Sequence, residues 1–327
     1  MRQHITTLEE FNEKQNHDSV NFDGSKFFQK HKFSGRKFTN CDFNGLDMVK
    51  SVFKDSNLEN CSLVKANLVG ADFTDASLFK SNCADGDFTK AKLLRANLKR
   101  CNFDKSVFKS ANLTGANFRE ASVIGADFTN ANLSLTFFTN AQLMKAQFVN
   151  ANLSGTKIAN ANSRGANFRG AKLVKSVLAG STFKDACFRR ANFTNADLKK
   201  AQFTNADLTG ANFTGADLTG VDFTGADFTG AAVKSADFTG ANLTGVIGLD
   251  LMRNRPQRCP KGSRRNKNTH NCDTKTDADA DRKRCTNGTQ KNKKTGNCEP
   301  KDENKTKRCP TGFRKNKKTG NCDTKHI

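Results

Sequence analysis

From Phe28 to Leu243 an apolar residue returns at every fifth position, 44 times without a slip in phase. Of these 44 centres, 42 are Phe, Leu, Ile, Val or Met, and only Cys83 and Ser163 depart. A small residue, usually Ala, stands two places before most centres, as at Ala111, Ala116, Ala121, Ala126 and Ala131. A period of five suits neither a helix, at about 3.6, nor a strand, at about 2, so the amphipathic readings of both fail. A fixed period held over this length is a repeat architecture, in which each unit buries its face only against its neighbours.

From Ala191 the chain reads ANFTN ADLKK AQFTN ADLTG ANFTG ADLTG. These units resemble the pentapeptide-repeat family, whose consensus is close to A(D/N)LXX, over about two thirds of the chain. The resemblance implies an all-β fold: a right-handed, quadrilateral parallel β-helix with one pentapeptide per side and about 20 residues per coil. Forty-four sides then make about 11 coils, a rod of roughly 50 Å at the inter-strand spacing. Each side has two inward positions, the centre and the small residue two before it, and three outward ones.

Residues 20 apart are then expected to stack, which assigns the interior columns. One holds the ladder Phe88, Phe108, Phe128, Phe148, Phe168 and Phe188, and another holds Leu93, Leu113, Leu133, Leu153 and Leu173. Of the 28 Phe, 22 are centres, while Tyr and Trp are absent; a closed interior offers no partner for a phenol or an indole N–H. Cys83 and Ser163 fall in one column and read as tolerated local gaps. Cys41, Cys61 and Cys101 share the small inward position of that side and read as buried thiols.

The charge is unevenly placed. Of the net +22, residues 1–252 contribute +7 and residues 253–327 contribute +15. That tail holds a second repeat, R-C-x-x-G-x-x-x-N-K-x-T-x-N-C with small departures, in which Cys259/Cys272, Cys285/Cys298 and Cys309/Cys322 each stand 13 apart. With so few apolar residues the tail cannot build a core. A disulfide within each pair is the favoured substitute, worth about 3 kcal/mol on the loop-entropy estimate, and the Gly and Asn-Lys turn residues make each unit a candidate stapled hairpin. Free thiols and a shared zinc site remain open, although a unit supplies two of the four ligands a structural zinc needs. The tail units resemble short C-P-x-G…N-K-x-T-G-x-C repeats of giant double-stranded DNA viruses, and Thr286 replaces the Pro in the middle unit.

The expected organisation is an N-terminal cap, 1–25, with a capping-box pattern at Thr6 and Glu9 compatible with a short helix; the β-helix, 26–245; an apolar cap or linker, 246–257; and three basic Cys repeats, 258–327, mostly irregular. In the linker, Val246, Ile247, Leu249, Leu251 and Met252 either cover the last coil or pair with their twins in a homodimer.

No nucleophile–base pair, phosphate loop or metal cluster stands apart from the repeat grammar. The Ser51/Lys54 spacing and the Asn-x-Ser/Thr matches arise from the repeat itself. The chain is therefore read as a non-enzyme without cofactor or metal. Its function is expected at the surface: a structural or interaction rod, virion-associated if viral, whose tail grips a protein or other acidic partner such as a capsid. Arg264, Arg265, Lys293, Lys294, Lys317 and Lys318 are the candidate anion-binding residues. The alternative is non-specific DNA or RNA binding through residues 253–327. Topoisomerase-directed DNA mimicry, which the family resemblance brings to mind, needs a dense negative surface. Here only residues 201–250 are acidic, with six Asp against Lys234. With no signal peptide or apolar 18-residue run, the expected location is the host cytoplasm or viral factory and the virion.

Overall fold

The backbone turns a corner at every fifth residue. The computed structural model describes residues 3–4, 7, 9–10, 16–22 and 28–249, and six tail segments, 263–265, 272–274, 289–291, 298–300, 313–315 and 322–324. The chain divides into two compact units, Met1–Cys272 and Asp273–Ile327.

Within the first unit, parallel bridges join residues 20 apart without interruption from Lys32↔Val52 to Asp227↔Ile247. One repeat shows how the backbone is satisfied. The Ala111 N–H closes the corner onto the Phe108 C=O at 3.0 Å; Asn112 donates to Ala91 in the preceding coil; Leu113 and Gly115 donate to Asn132 and Ser134 in the following one. The fifth amide, Thr114, has no backbone acceptor in this scheme and donates to Asn112 Oδ1 at 3.2 Å. The same bond recurs at Thr74–Asp72, Arg119–Asn117 and Thr224–Asp222. Asn and Asp before the centre are thus acceptors for an amide the ladder leaves over.

Each corner also fixes a backbone sign. Every fifth residue from Lys30 to Gly245 has positive φ, between +54° and +60° for non-glycine residues and between +65° and +71° for Gly. That region is open to Gly and tolerated by Asn and Asp, which accounts for the corners those residues hold but not for those held by Lys and Arg, such as Lys50, Lys90 and Arg190.

Inside, centres and small residues alternate in closed columns, almost all fully buried. The Phe88–Phe188 column stacks as parallel rings: successive centroids lie 4.8, 4.8, 4.9, 4.7 and 4.6 Å apart with interplanar angles of 15°, 3°, 2°, 5° and 3°. Each such pair adds about 0.5–1.5 kcal/mol beyond area burial. Where Ser or Thr takes the small position, its hydroxyl finds a carbonyl, in the preceding coil for Ser81 Oγ with Leu58 C=O at 2.6 Å and Ser106 Oγ with Cys83 C=O at 2.7 Å, and three residues back for Ser51 with Met48 and Ser176 with Leu173. Ser163, at a centre, has no such acceptor.

The start of the solenoid lies upstream of the five-residue frame. Strand β1 (Gln3–His4) pairs in parallel with β3 (Val20–Asn21), and β2 (Asn16–Asp18) with β4 (Lys37–Thr39). The β2–β4 register is 21 residues, not 20, so this coil carries one extra residue. His17 stacks on Phe38 at 5.4 Å and Phe22 on Phe43 at 4.9 Å, filling the first layer. The reciprocal cap joins Thr7 and Glu10, at 3.2 and 3.3 Å, one residue later than the Thr6–Glu9 pattern, and Glu9 and Glu10 have helical backbone.

At the far end Val246 and Ile247 keep the repeat phase, since Ile247 still bridges Asp227. The break comes at Gly248, where a centre is due. Its φ is +69° and a Cβ there would lie 2.6 Å from Thr229 Cα, so the backbone itself closes on the preceding coil. Val246 and Leu249 pack against the core.

In the tail, β5 (Ser263–Arg265) pairs with β6 (Cys272–Thr274). The antiparallel pairs β7 (Thr289–Lys291) with β8 (Cys298–Pro300) and β9 (Phe313–Lys315) with β10 (Cys322–Thr324) repeat that spacing. Each cysteine unit therefore contains a short pair of hydrogen-bonded strands. Among the described residues no helix is long and apolar enough to cross a membrane.

Candidate functional surfaces

A solenoid whose interior is filled by side-chain columns presents function only on its outward positions. Most of these are polar and satisfied along the ladder. Ion pairs run from coil to coil: Arg95–Asp75 at 2.5 Å, Arg100–Glu120 at 2.6 Å, Lys99–Glu120 at 3.1 Å and Lys199–Asp217 at 2.9 Å. A hydrogen bond from Arg95 holds the Asp75 carboxyl below its ordinary range, and bonds from Arg100 and Lys99 do the same for Glu120. Such exposed pairs are individually worth about 0–1 kcal/mol.

One region departs furthest from this pattern. Leu135 is the single apolar side chain among the 44 corner residues, has a φ of +59° and is 60% exposed. Two residues on, Phe137 stands at an outward position usually held by a polar residue, with the Arg119 guanidinium 4.3 Å and the Lys157 ammonium 5.5 Å from its ring centroid. The sequence reading passed over both. The signal that would have found them is the corner composition, in which Leu is out of place.

The last coils carry the opposite charge. Asp197, Asp217 and Asp237 bridge in one column, and Asp207 and Asp227 lead to Ile247 in another. Partial burial pushes Asp217 upward, but hydrogen bonds from Thr219 and Lys199 outweigh it and hold the carboxyl below its ordinary range. Asp222 follows the same balance, with Thr224 as the first donor. Asp227 is held low chiefly by the Thr229 hydroxyl and amide.

The predicted tail residues are placed only in part. Cys272, Cys298 and Cys322 open the second strand of each pair, and Arg264 and Arg265 lie in β5. Cys259, Cys285, Cys309, Lys293, Lys294, Lys317 and Lys318 lie outside the described residues, so the cysteine pairing stays an expectation. Of the apolar linker, Val246 and Leu249 are spent on the core, Ile247 is 59% exposed, and Leu251 and Met252 lie outside the described residues.

The interior cysteines are enclosed. Cys61 donates to the Phe38 C=O at 3.1 Å and Cys101 to the Leu78 C=O at 2.7 Å. Burial pushes the Cys61 and Cys83 thiols far up and Cys101 to about 12, so these thiols are poor nucleophiles. Among the described residues no group of three or more His, Cys, Asp or Glu is placed to hold a metal ion.

Comparison with known proteins agrees with this architecture. The family model for pentapeptide repeats matches residues 28–63, 56–93, 186–225 and 206–245, and that for a pentapeptide repeat region matches 81–158 and 101–178. None of the curated proteins matches the chain. Among solved structures, HetL, a pentapeptide repeat protein involved in heterocyst differentiation regulation from the cyanobacterium Nostoc sp. Strain PCC 7120, is 23% identical over 74% of this chain and 98% of its own, with a TM-score of 0.31. Full-length QnrB1, a plasmid-mediated fluoroquinolone resistance protein, is 23% identical over 51% of this chain and 82% of its own, with a TM-score of 0.27. Rfr23, a pentapeptide repeat protein from the cyanobacterium Cyanothece 51142, is 20% identical over 38% of this chain and 90% of its own, with a TM-score of 0.21. The superpositions are weak, and the assignment rests on the repeat models, which together span 28–178 and 186–245. The chain belongs to the pentapeptide-repeat family, a structural and interaction family of β-helical solenoids.

Proposed function

We propose that this protein is a non-catalytic rigid rod of about 11 coils that a basic tail tethers to an acidic partner. The observation that carries the reading is the charge partition: +15 of the +22 lies in residues 253–327, on three units of one spacing. A stiff solenoid holds its surfaces at fixed distances, and a basic appendage supplies long-range attraction to anionic surfaces. The Cys-Pro-x-Gly…Asn-Lys-x-Thr-Gly-x-Cys phrase supports a giant-virus source and a place in the virion, with a capsid as the acidic partner. Absence of the protein from purified virions would overturn that placement.

Nucleic-acid binding is the second reading, favoured by the runs Arg264-Arg265, Lys293-Lys294 and Lys317-Lys318. It predicts affinity that falls steeply with salt and little base stacking, since Phe313 is the one aromatic residue after residue 252. A duplex-binding titration in salt, with the full chain and with residues 253–327 deleted, separates the two. Strong, salt-sensitive binding lost on deletion supports the nucleic-acid reading; weak binding unchanged by deletion supports the tether. DNA mimicry is the least favoured, because the acidic surface is confined to the last coils.

A further inference from the structure

We propose that the rod self-associates side to side in a staggered register, with the acidic last coils of one copy, around Ile247, seated on the basic apolar patch around Leu135 and Phe137 of another. This goes beyond the tail-based reading and stands or falls separately from it.

Leu135 and Ile247 are the two large apolar side chains that the described residues leave exposed, at 60% and 59%. Nothing in the fold asks for either. Every other corner from Lys30 to Gly245 is Gly, Asn, Asp, Ser, Glu, Lys or Arg, so Leu135 alone puts an exposed apolar side chain on the positive-φ backbone that all corners share. The next corner of that column is Gly155, where an added Cβ would come within 2.9 Å of Leu135 Cδ2. The Leu135 side chain thus lies flat along the edge, widening the apolar surface next to Phe137.

The two sites have opposite charge. Arg119 and Lys157 bracket Phe137, and among the described residues neither reaches a carboxylate within ion-pair distance, in contrast to Lys99, Arg100 and Lys199. Ile247 is stacked on Asp227, with Asp207 one coil further in, and between Ala201 and Leu249 five Asp face the single cation Lys234. Pairing Ile247 with its twin would bring Asp227 against Asp227. Pairing it with the Leu135 patch joins apolar to apolar and anion to cation, which favours both register and encounter rate.

The geometry then dictates the type of assembly. The columns of Phe137 and Ile247 are two sides apart in a four-sided coil, so they face in opposite directions. One copy can use both at once. A contact between unlike patches that does not close on itself propagates into an open chain.

Sedimentation velocity of the full chain over a concentration series, without nucleic acid, tests this. The expected result is a mean mass that rises with concentration without a plateau at the dimer, and that falls on adding salt. Leu135→Lys and Ile247→Lys should each raise the apparent dissociation constant at least about tenfold. Leu135→Gly, which gives the corner its best-suited residue and so keeps the fold, should do the same. An equal mixture of the two Lys variants retains one intact contact and should yield dimers that do not grow. A monomer at every concentration overturns the proposal. So does association that Leu135→Lys, Leu135→Gly and Ile247→Lys leave unchanged, which would move the contact to another part of the chain.

Discussion

Ser163 shows how little freedom a single inward position has. It occupies a centre between Leu143 and Phe183 in its column, is fully buried, and its hydroxyl has no hydrogen-bond partner. Serines at the small position avoid this, because the carbonyl of the preceding coil lies within reach, as for Ser81 and Ser106. A buried, unmet hydroxyl costs about 1–3 kcal/mol, and a side chain this small forfeits contacts that Leu or Phe makes in the other coils. Ser163→Val should therefore raise the unfolding midpoint, with a gain of about 1 kcal/mol or more, measured by thermal or denaturant unfolding. A lower midpoint would mean that the coil has contracted around Ser163 and that Val overpacks it. The sequence marked Ser163 as an exception, because a centre column is a pattern of residue size. It did not mark the role of Asn112 and its equivalents. That role depends on which of five amides the neighbouring coils fail to meet, a matter of hydrogen-bond geometry that no periodicity encodes.

At the scale of a coil, the repeat is a closed hydrogen-bond circuit, and its two ends are the places where the circuit must stop. The middle of the rod was legible because every coil there repeats the same solution. The ends were not. The first coil takes 21 residues between Asn16 and Lys37, and His17 and Phe22 fill positions that a strict count of five from Phe28 misses. The last departs at Gly248, whose backbone lies against Thr229. Here glycine is required twice over, by its positive φ and by the missing Cβ. Gly248→Ala should force the chain off the last coil and break the Phe228 N–H to Ile247 C=O bond, 2.7 Å in the native fold. Hydrogen exchange at the Phe228 amide should then rise while the amides of Phe128 and Phe148 stay protected. Unchanged protection at Phe228 would show that Val246 and Leu249 hold the end without the close approach at Gly248.

Across the whole molecule, the same backbone circuit is held by different side chains from one end to the other. Between Phe128 and Phe188 the interior is a column of stacked rings, and none of the acids held at lowered pKa, Asp18, Asp75, Glu120, Asp127, Asp217, Asp222 and Asp227, lies in that stretch. The last coils instead lean on Asp217, Asp222 and Asp227, whose carboxylates accept bonds from Thr hydroxyls and amides. A carboxyl whose folded pKa lies below its ordinary value, 3.8 for aspartate, stabilises the fold fully above that value. The contribution is lost as pH falls through the lower folded value, because the proton then binds the unfolded chain more tightly. Asp217 sits between Asp197 and Asp237 in one column. Its lowered pKa means that Thr219 and Lys199 outweigh its partial burial. Acid should therefore open the rod from its C-terminal end. Hydrogen exchange at about pH 5 and about pH 3, corrected for the intrinsic rate, should show the amides of Leu218 to Phe228 losing protection below about pH 4 while those of Phe148 to Phe168 keep theirs. Simultaneous loss in both regions would mean that the solenoid unfolds as one cooperative unit and that these carboxylates do not set its weakest point.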